Sequence, residues 1–305
     1  MRVPVTGVSV RSGRGPALVS GGFGELSALA GSSCLEELNI TAPRAVVDMH
    51  RRHLEEGAEI LRTNTGGASP ERLDRYRMYD EAFIVSYMAA EHASKAIRNA
   101  GGGGQRVMGV ARVEALAPLV GFLPLDRVEA ASRTMVSGLV GGGAGLLLLE
   151  TAQCPARIAS AIDGARRGIA DAGRPVPLVV KLRYETRLGA LARATVTDDL
   201  ARAASVAAGA GVQAIAVAPG NLDQPFLATL KRVAAAFGGP LFLDLAPSSP
   251  HWASVSELAD LHGRLAYVAG RPLKDGAMEE RGTVLSAAND AGPQVAGRRL
   301  SDLAN

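Results

Sequence analysis

One phrase recurs along this chain and constrains its fold more than any other feature: an amphipathic helix, a glycine hinge, then a short apolar run ending in polar residues. It reads as 44–56, Gly57 and 59–64; as 127–140, 141–143 and 145–150; and as 198–208, 209–211 and 213–218. Glycine after a helix supplies a left-handed cap, and a near-continuous run of Leu, Val, Ile and Ala suits a parallel strand covered on both faces. The same pattern gives eight strands, near 17–20, 59–64, 106–112, 145–150, 177–183, 213–218, 240–244 and 265–269, each pair separated by enough chain for a helix. Eight parallel βα units predict an α/β chain folded as a single (β/α)8 TIM barrel over residues 1–290, with a tail at 291–305. A doubly wound open sheet would carry G-x-G-x-x-G after its first strand. Gly21, Gly22 and Gly24 stand there with G-G-x-G spacing, so no nucleotide loop is expected. The run 101–104, all glycine, reads as a surface connection.

Composition enters as a set of exclusions. The 33 basic and 30 acidic residues are interleaved and leave a net charge of only +3, so no nucleic-acid partner is expected. No apolar run reaches the ~18 residues of a membrane helix, and the N-terminus lacks the apolar stretch of a signal peptide, which predicts a cytoplasmic protein without a membrane partner. Two cysteines, Cys34 and Cys154, in 305 residues exclude a disulfide framework and offer no C-x-x-C pair for zinc.

The segment 38–65, LNITAPRAVVDMHRRHLEEGAEILRTNT, and the segment 138–151, GLVGGGAGLLLLET, resemble the homocysteine S-methyltransferases. That family includes the homocysteine-binding barrel of methionine synthase and the betaine–homocysteine enzyme. The resemblance implies a (β/α)8 barrel with its site at the C-terminal ends of the strands. It also implies a zinc ion on three cysteines, one in a G-x-N-C setting at the end of the sixth strand and two in G-G-C-C-G after the eighth. Such a zinc keeps a thiol deprotonated yet nucleophilic. Here the two regions read AIAVAPG at 214–220 and VAGRPLK at 268–274, without cysteine. The family's D-G-A-M-G opening reads Ser20-Gly21-Gly22-Phe23-Gly24, so a serine stands where an acid would hold the amino group. No zinc and no other cofactor is therefore expected, and the methyl donor is not named by the sequence. The alternative is a relocated zinc site drawn from Cys34, Cys154, His50, His53 and His251.

Alternation along a strand places Glu150 on the face of Leu146 and Leu148, and puts Lys181 and Arg183 on one face of their strand. With Arg112, Asp244, Arg271 and Lys274 these residues form a polar ring at the barrel mouth. One reading closes the ring on itself through Lys181–Glu150 or Arg183–Asp244 pairs. The other gives the excess positive charge to a carboxylate or phosphate, with Arg183 or Arg271 as a bidentate clamp. Glu150 is the expected catalytic group, as amino-group or proton partner. By resemblance Thr63, Asn64 and Thr65 touch substrate, with satisfaction of backbone groups at the rim as their alternative role; Ser20, standing in place of the family's acid, is a further substrate-binding candidate.

His251, beside Trp252, reads as a loop residue or a general base, His50 and His53 as surface or interhelical residues, and Cys154 as a buried or inert thiol. Tyr76, Tyr79, Phe83 and Tyr87 form a helix stripe suited to the core or to contact within a homo-oligomer. The functional expectation is a metal-independent small-molecule enzyme of methyl-transfer type acting on a polar or anionic substrate. Two alternatives stand beside it: a non-catalytic partner of a corrinoid, folate or reductase component, and a zinc-dependent transferase with relocated ligands.

Overall fold

A computed structural model describes residues 19–20, 23–31, 34–113, 116–117, 121–151, 154–184, 190–219, 224–244 and 265–269. Its strands are β1 (Ile60–Arg62), β2 (Arg106–Arg112), β3 (Leu116–Ala117), β4 (Gly121–Phe122), β5 (Leu146–Glu150), β6 (Leu178–Tyr184), β7 (Ala214–Pro219), β8 (Leu241–Asp244) and β9 (Leu265–Ala269). The α-helices are α1 (Ser27–Ala30), α2 (Leu38–Thr41), α3 (Pro43–Glu55), α4 (Pro70–Leu73), α5 (Ala82–Asn99), α6 (Leu125–Gly141), α7 (Pro155–Asp171), α8 (Ala190–Gly209) and α9 (Gln224–Phe237). Proline opens α3, α4 and α7, where its missing N–H costs no helical bond. In each of the three repeated phrases the hinge contains a glycine in the left-handed region, Gly57 at φ 89°, Gly143 at φ 109° and Gly211 at φ 66°. A side chain there would be strained, which is why each helix stops and the chain turns into the next strand.

Seven strands pair in the order β1-β2-β5-β6-β7-β8-β9, all parallel, and Val19 adds a parallel bridge to Ile60 at the β1 edge. Strand order follows chain order with no reversal. A doubly wound sheet reverses at a switch point, so that arrangement is excluded for these strands. β3 and β4 form a separate antiparallel ribbon between β2 and α6. Of the expected first strand, Val19 and Ser20 are described, and residues 17–18 lie outside the described set, as does the tail 291–305. The strand expected at 59–64 ends at Arg62, because Thr63 begins a polar turn.

Both faces of the sheet are apolar, and alternation sorts them. Leu61, Ala111, Leu147, Leu149, Val180, Leu182, Ile215 and Val217 join the core under the helices. Val19, Ile60, Met108, Val110, Leu146, Leu148, Val179, Ala214, Ala216 and Phe242 form a second cluster that runs from the Val19 bridge to β8 on the opposite face. Among the described residues no helix contributes to this second cluster, so the face buries its own side chains by curling on itself. The helical layer packs closely through small residues: a Cβ on Gly138 of α6 would stand 2.5 Å from the Phe83 carbonyl oxygen of α5, and one on Gly168 of α7 would stand 2.7 Å from the Arg133 carbonyl oxygen of α6.

Burial decides between several alternatives for side chains. Of surface and interhelical positions, His50 and His53 take the second: both are buried on the inner face of α3, and Phe23 meets their rings edge-on at centroid distances of 5.3 and 6.0 Å. Burial, then the neighbouring His53 and His92, pushes His50 down to about 3, so its ring is neutral. Among the described residues neither of its nitrogens has a hydrogen-bond partner. Tyr76, ahead of α5, and Phe83, in its first turn, are exposed, so of the two readings of the aromatic stripe the core does not hold for these two. Cys34 is buried, whereas Cys154, expected to be a buried or inert thiol, is exposed at the start of α7. The glycine run 101–104 is an exposed turn between α5 and β2.

Candidate functional site

Hydrogen-bond register brings three charged residues together. Arg112 on β2 pairs in register with Glu150 on β5, and Glu150 with Lys181 on β6. Adjacent strands lie about 4.8 Å apart, so side chains in register on one face must meet. Their faces agree: each stands two residues beyond a member of the inward cluster, Val110, Leu148 and Val179. Arg112 donates from Nε at 2.9 Å to Oε2 of Glu150 and its Nη2 lies 2.7 Å from the same oxygen, while Lys181 Nζ donates to Oε1 at 2.9 Å. Both carboxylate oxygens are thus taken.

Burial alone would raise the Glu150 pKa, but Lys181 and then Arg112 outweigh it and hold the carboxyl below its ordinary range. An ionised carboxylate paired to two cations is a poor proton donor, and its charge is already balanced. It works as an anchor that fixes two cations.

Arg183, two residues beyond Lys181 on the same face, is exposed and has no ion-pair or hydrogen-bond partner among the described residues. Opposite Lys181 and Arg183 on β7 stand Ala216 and Ala218. Methyl side chains there leave room beside the cations. Arg62 shares the inward face through Ile60 and is half-buried. No motif in the sequence marks Arg62, although the alternation that places Glu150 and Lys181 also places it.

The polar residues around β1 are used differently. Ser20 donates its backbone N–H to the Ile60 carbonyl at 2.8 Å, and its Oγ accepts from the Arg62 N–H at 2.8 Å, which extends the pairing at the sheet edge. Thr63 Oγ1 accepts from the Val110 N–H at 2.9 Å, and Thr65 Oγ1 donates to the Val110 carbonyl at 2.6 Å. The two hydroxyls are 2.7 Å apart. Since the single hydroxyl proton of Thr65 goes to the carbonyl, Thr63 is the donor between them. Asn64 Nδ2 donates to the Leu35 carbonyl at 2.7 Å, and Asn39 Nδ2 donates to the Asn64 carbonyl at 2.8 Å. Asp244 ends β8, but its side chain lies outside the described residues, as do Arg271, Lys274, His251 and Trp252.

A groove of about 750 Å³ lies elsewhere, on the helical shell, lined by Phe83 of α5 and by α6 and α7 residues that include Glu129, Arg133, Arg167 and Asp171. Four of its charges pair among themselves, Arg133 with Asp171 at 2.6 Å and Arg167 with Glu129 at 2.8 Å. The strand ends therefore remain the chemical candidate.

The family model for homocysteine S-methyltransferase matches residues 18–236, most of the chain. The chain belongs to the homocysteine S-methyltransferase family. It is 30% identical over 155 residues to methionine synthase of Mycobacterium leprae and 28% identical over 155 residues to that of Mycobacterium tuberculosis. Each match takes in 50% of this chain and 13% of the relative, so the shared region is a small part of those proteins. Among solved structures, the homocysteine methyltransferase MmuM from Escherichia coli in its metallated form superposes with a TM-score of 0.63 at 15% identity, covering 90% of this chain and 96% of that one. At that identity the likeness speaks for the fold.

Zinc is the metal that the homocysteine S-methyltransferase family implies, and the donor set here does not suit it. β7, where the family places a cysteine, ends in Ala216, Val217, Ala218 and Pro219. Cys34 packs in the core beneath the helices, and Cys154 is exposed. Among the described residues no three His, Cys, Asp or Glu side chains gather as a metal site. The strand ends carry Arg112, Lys181 and Arg183 instead, and cations repel a divalent ion. No helix among the described residues is long and apolar enough to cross a membrane.

Proposed function

We propose that this chain is a metal-independent, methyltransferase-like enzyme that acts on a polar or anionic small molecule at the C-terminal ends of the strands. The carrying observation is the Arg112–Glu150–Lys181 cluster, in which the family's strand-end carboxylate is spent on fixing two cations. In this reading the sheet closes as a (β/α)8 barrel over residues 1–290, the site opens at its mouth, and the enzyme works in the cytoplasm. Without a metal to activate it, the nucleophile must reach the site already deprotonated or be more nucleophilic than a neutral thiol. Rate then comes from positioning and fixed electrostatics. Arg112 and Lys181 suit this role because Glu150 holds them before a ligand arrives.

Metal analysis of protein purified without a metal-affinity tag, with thermal unfolding in the presence of homocysteine, tests the proposal. The expected result is no stoichiometric zinc and no homocysteine-dependent rise in Tm. One zinc per chain together with stabilisation by homocysteine would overturn it and restore a zinc-dependent transferase.

A second reading rests on the length of the curated relatives, of which this chain spans 13%. In it the chain binds its ligand on behalf of a corrinoid-, folate- or reductase-bearing partner and does no chemistry alone. Ligand binding without turnover, and turnover restored by such a partner, would favour this reading.

A further inference from the structure

We infer that the strand-end mouth takes a small dianion, a phosphate monoester or a dicarboxylate, held by Arg112 and Arg183 with Lys181 between them. The inference deepens the proposed function and rests on its placement of the ligand site at the strand ends. Four observations carry it.

The first is charge. Arg112, Lys181 and Arg183 stand around the single carboxylate of Glu150, which leaves two positive charges in excess among these four residues. A monoanion would neutralise half of that excess and a dianion all of it. The second is donor geometry. Glu150 is approached by Nε and Nη2 of Arg112, whereas a guanidinium carries five N–H donors in a planar fork. The remaining edge of Arg112 can meet a second oxyanion without giving up the first. The third is that Arg183 has no partner of its own among the described residues, although the neighbouring Lys181 is anchored. The fourth is space, since β7 offers only Ala216 and Ala218 in register with the two β6 cations.

The same arrangement argues against other ligand classes. An ammonium group would meet three cations around a single carboxylate whose charge is already balanced, and would be repelled. A neutral apolar ligand would have to cover charged groups without compensating them, which is costly. Lys181, with a side chain only 10% exposed, is already desolvated and held by Glu150, so an oxyanion arriving there meets a fixed charge that does not reorganise.

The test is a titration of the full chain, at constant ionic strength, with inorganic phosphate, malonate and acetate as probes, read as Tm and by calorimetry. Phosphate or malonate is expected to raise Tm saturably while acetate does not, and Arg183→Gln is expected to weaken the dianion at least about tenfold, the usual scale for one charge-assisted hydrogen-bond pair. Response to phosphate alone assigns a phosphate monoester; response to malonate alone assigns a dicarboxylate. Because Arg183 is exposed, the variant keeps its fold, which circular dichroism checks. Arg112→Lys, which keeps the charge beside Glu150 but loses the fork, should weaken the same probe. Equal responses to all three anions, or wild-type binding by Arg183→Gln, would overturn the inference. A metal-free protein without a dianion response removes this inference and leaves the proposed function standing. A zinc-loaded protein that binds dianions through Arg183 does the reverse.

Discussion

After β1, Thr63, Asn64 and Thr65 each give their side chain to a backbone group, whereas at the ends of β2, β5 and β6 the polar side chains bind one another and leave charge over. The two regions belong to one sheet and both follow apolar strand cores. They differ in which groups need partners. The chain leaves β1 after three residues, so the turn at 63–65 and the adjoining Val110 peptide have N–H and C=O groups outside the ladder, and hydroxyls and an amide fill them. β5 and β6 run on in register to Glu150 and Lys181, their backbone is satisfied by the ladder, and the side chains are released for other work. Residue type at a strand end therefore says less about function than whether the ladder still runs beneath it.

Acid should separate the two regions most strongly. His50, packed under Phe23 on the β1 side, takes up its proton only at about 3 in the folded chain but near 6.5 once unfolded. The unfolded state thus binds more protons between those values, so stability is fully present above pH 6.5 and falls as pH drops toward 3, by about 4 kcal/mol at the lower end. His50→Leu should flatten that limb in urea midpoints measured across pH; an unchanged slope would assign the acid sensitivity elsewhere. Glu150 acts lower, because its depressed pKa stabilises the fold above the ordinary carboxyl value of 4.5 and that contribution is lost as pH falls further.

Next in size is Glu150→Gln, which leaves Lys181 buried without its counter-charge and should cost about 3 kcal/mol in chemical denaturation. A loss within measurement error would mean that the cations are held by something else. Thr65→Val should cost about 1–2 kcal/mol, because the Val110 carbonyl loses its donor and Thr63 its acceptor. It should leave anion binding untouched, and a weakened dianion response there would erase the distinction between the regions. Smallest is Arg183→Gln, whose effect on stability should stay within about 0.5 kcal/mol, as at other exposed positions. Its effect is expected in binding alone.

Much of this was written in the chain. The repeated phrase located the seven strands of the described parallel sheet and the Val19 bridge beside them, because hydrophobic period and glycine hinges are local properties that no tertiary contact has to supply; Gly57, Gly143 and Gly211 adopt the φ values their positions demand. The same period put Glu150 on the face of Leu146 and Leu148, and Lys181 with Arg183 on one face of their own strand, since alternation needs only the strand; that the two faces coincide came from register. Family membership was legible in the 38–65 and 138–151 segments. The Lys181–Glu150 pair was one of two readings the sequence offered, and the structure contains it. What the sequence could not decide was which reading holds and that Arg112 joins on the other oxygen, since both depend on a register fixed by how the strands twist and stack. Nor could it foresee that α3 would turn His50 and His53 inward against Phe23, because burial depends on which segment covers a helix, and a segment 27 residues earlier does so here. Local order follows from the period of the residues; the partner of each polar side chain was decided only when distant segments came into contact.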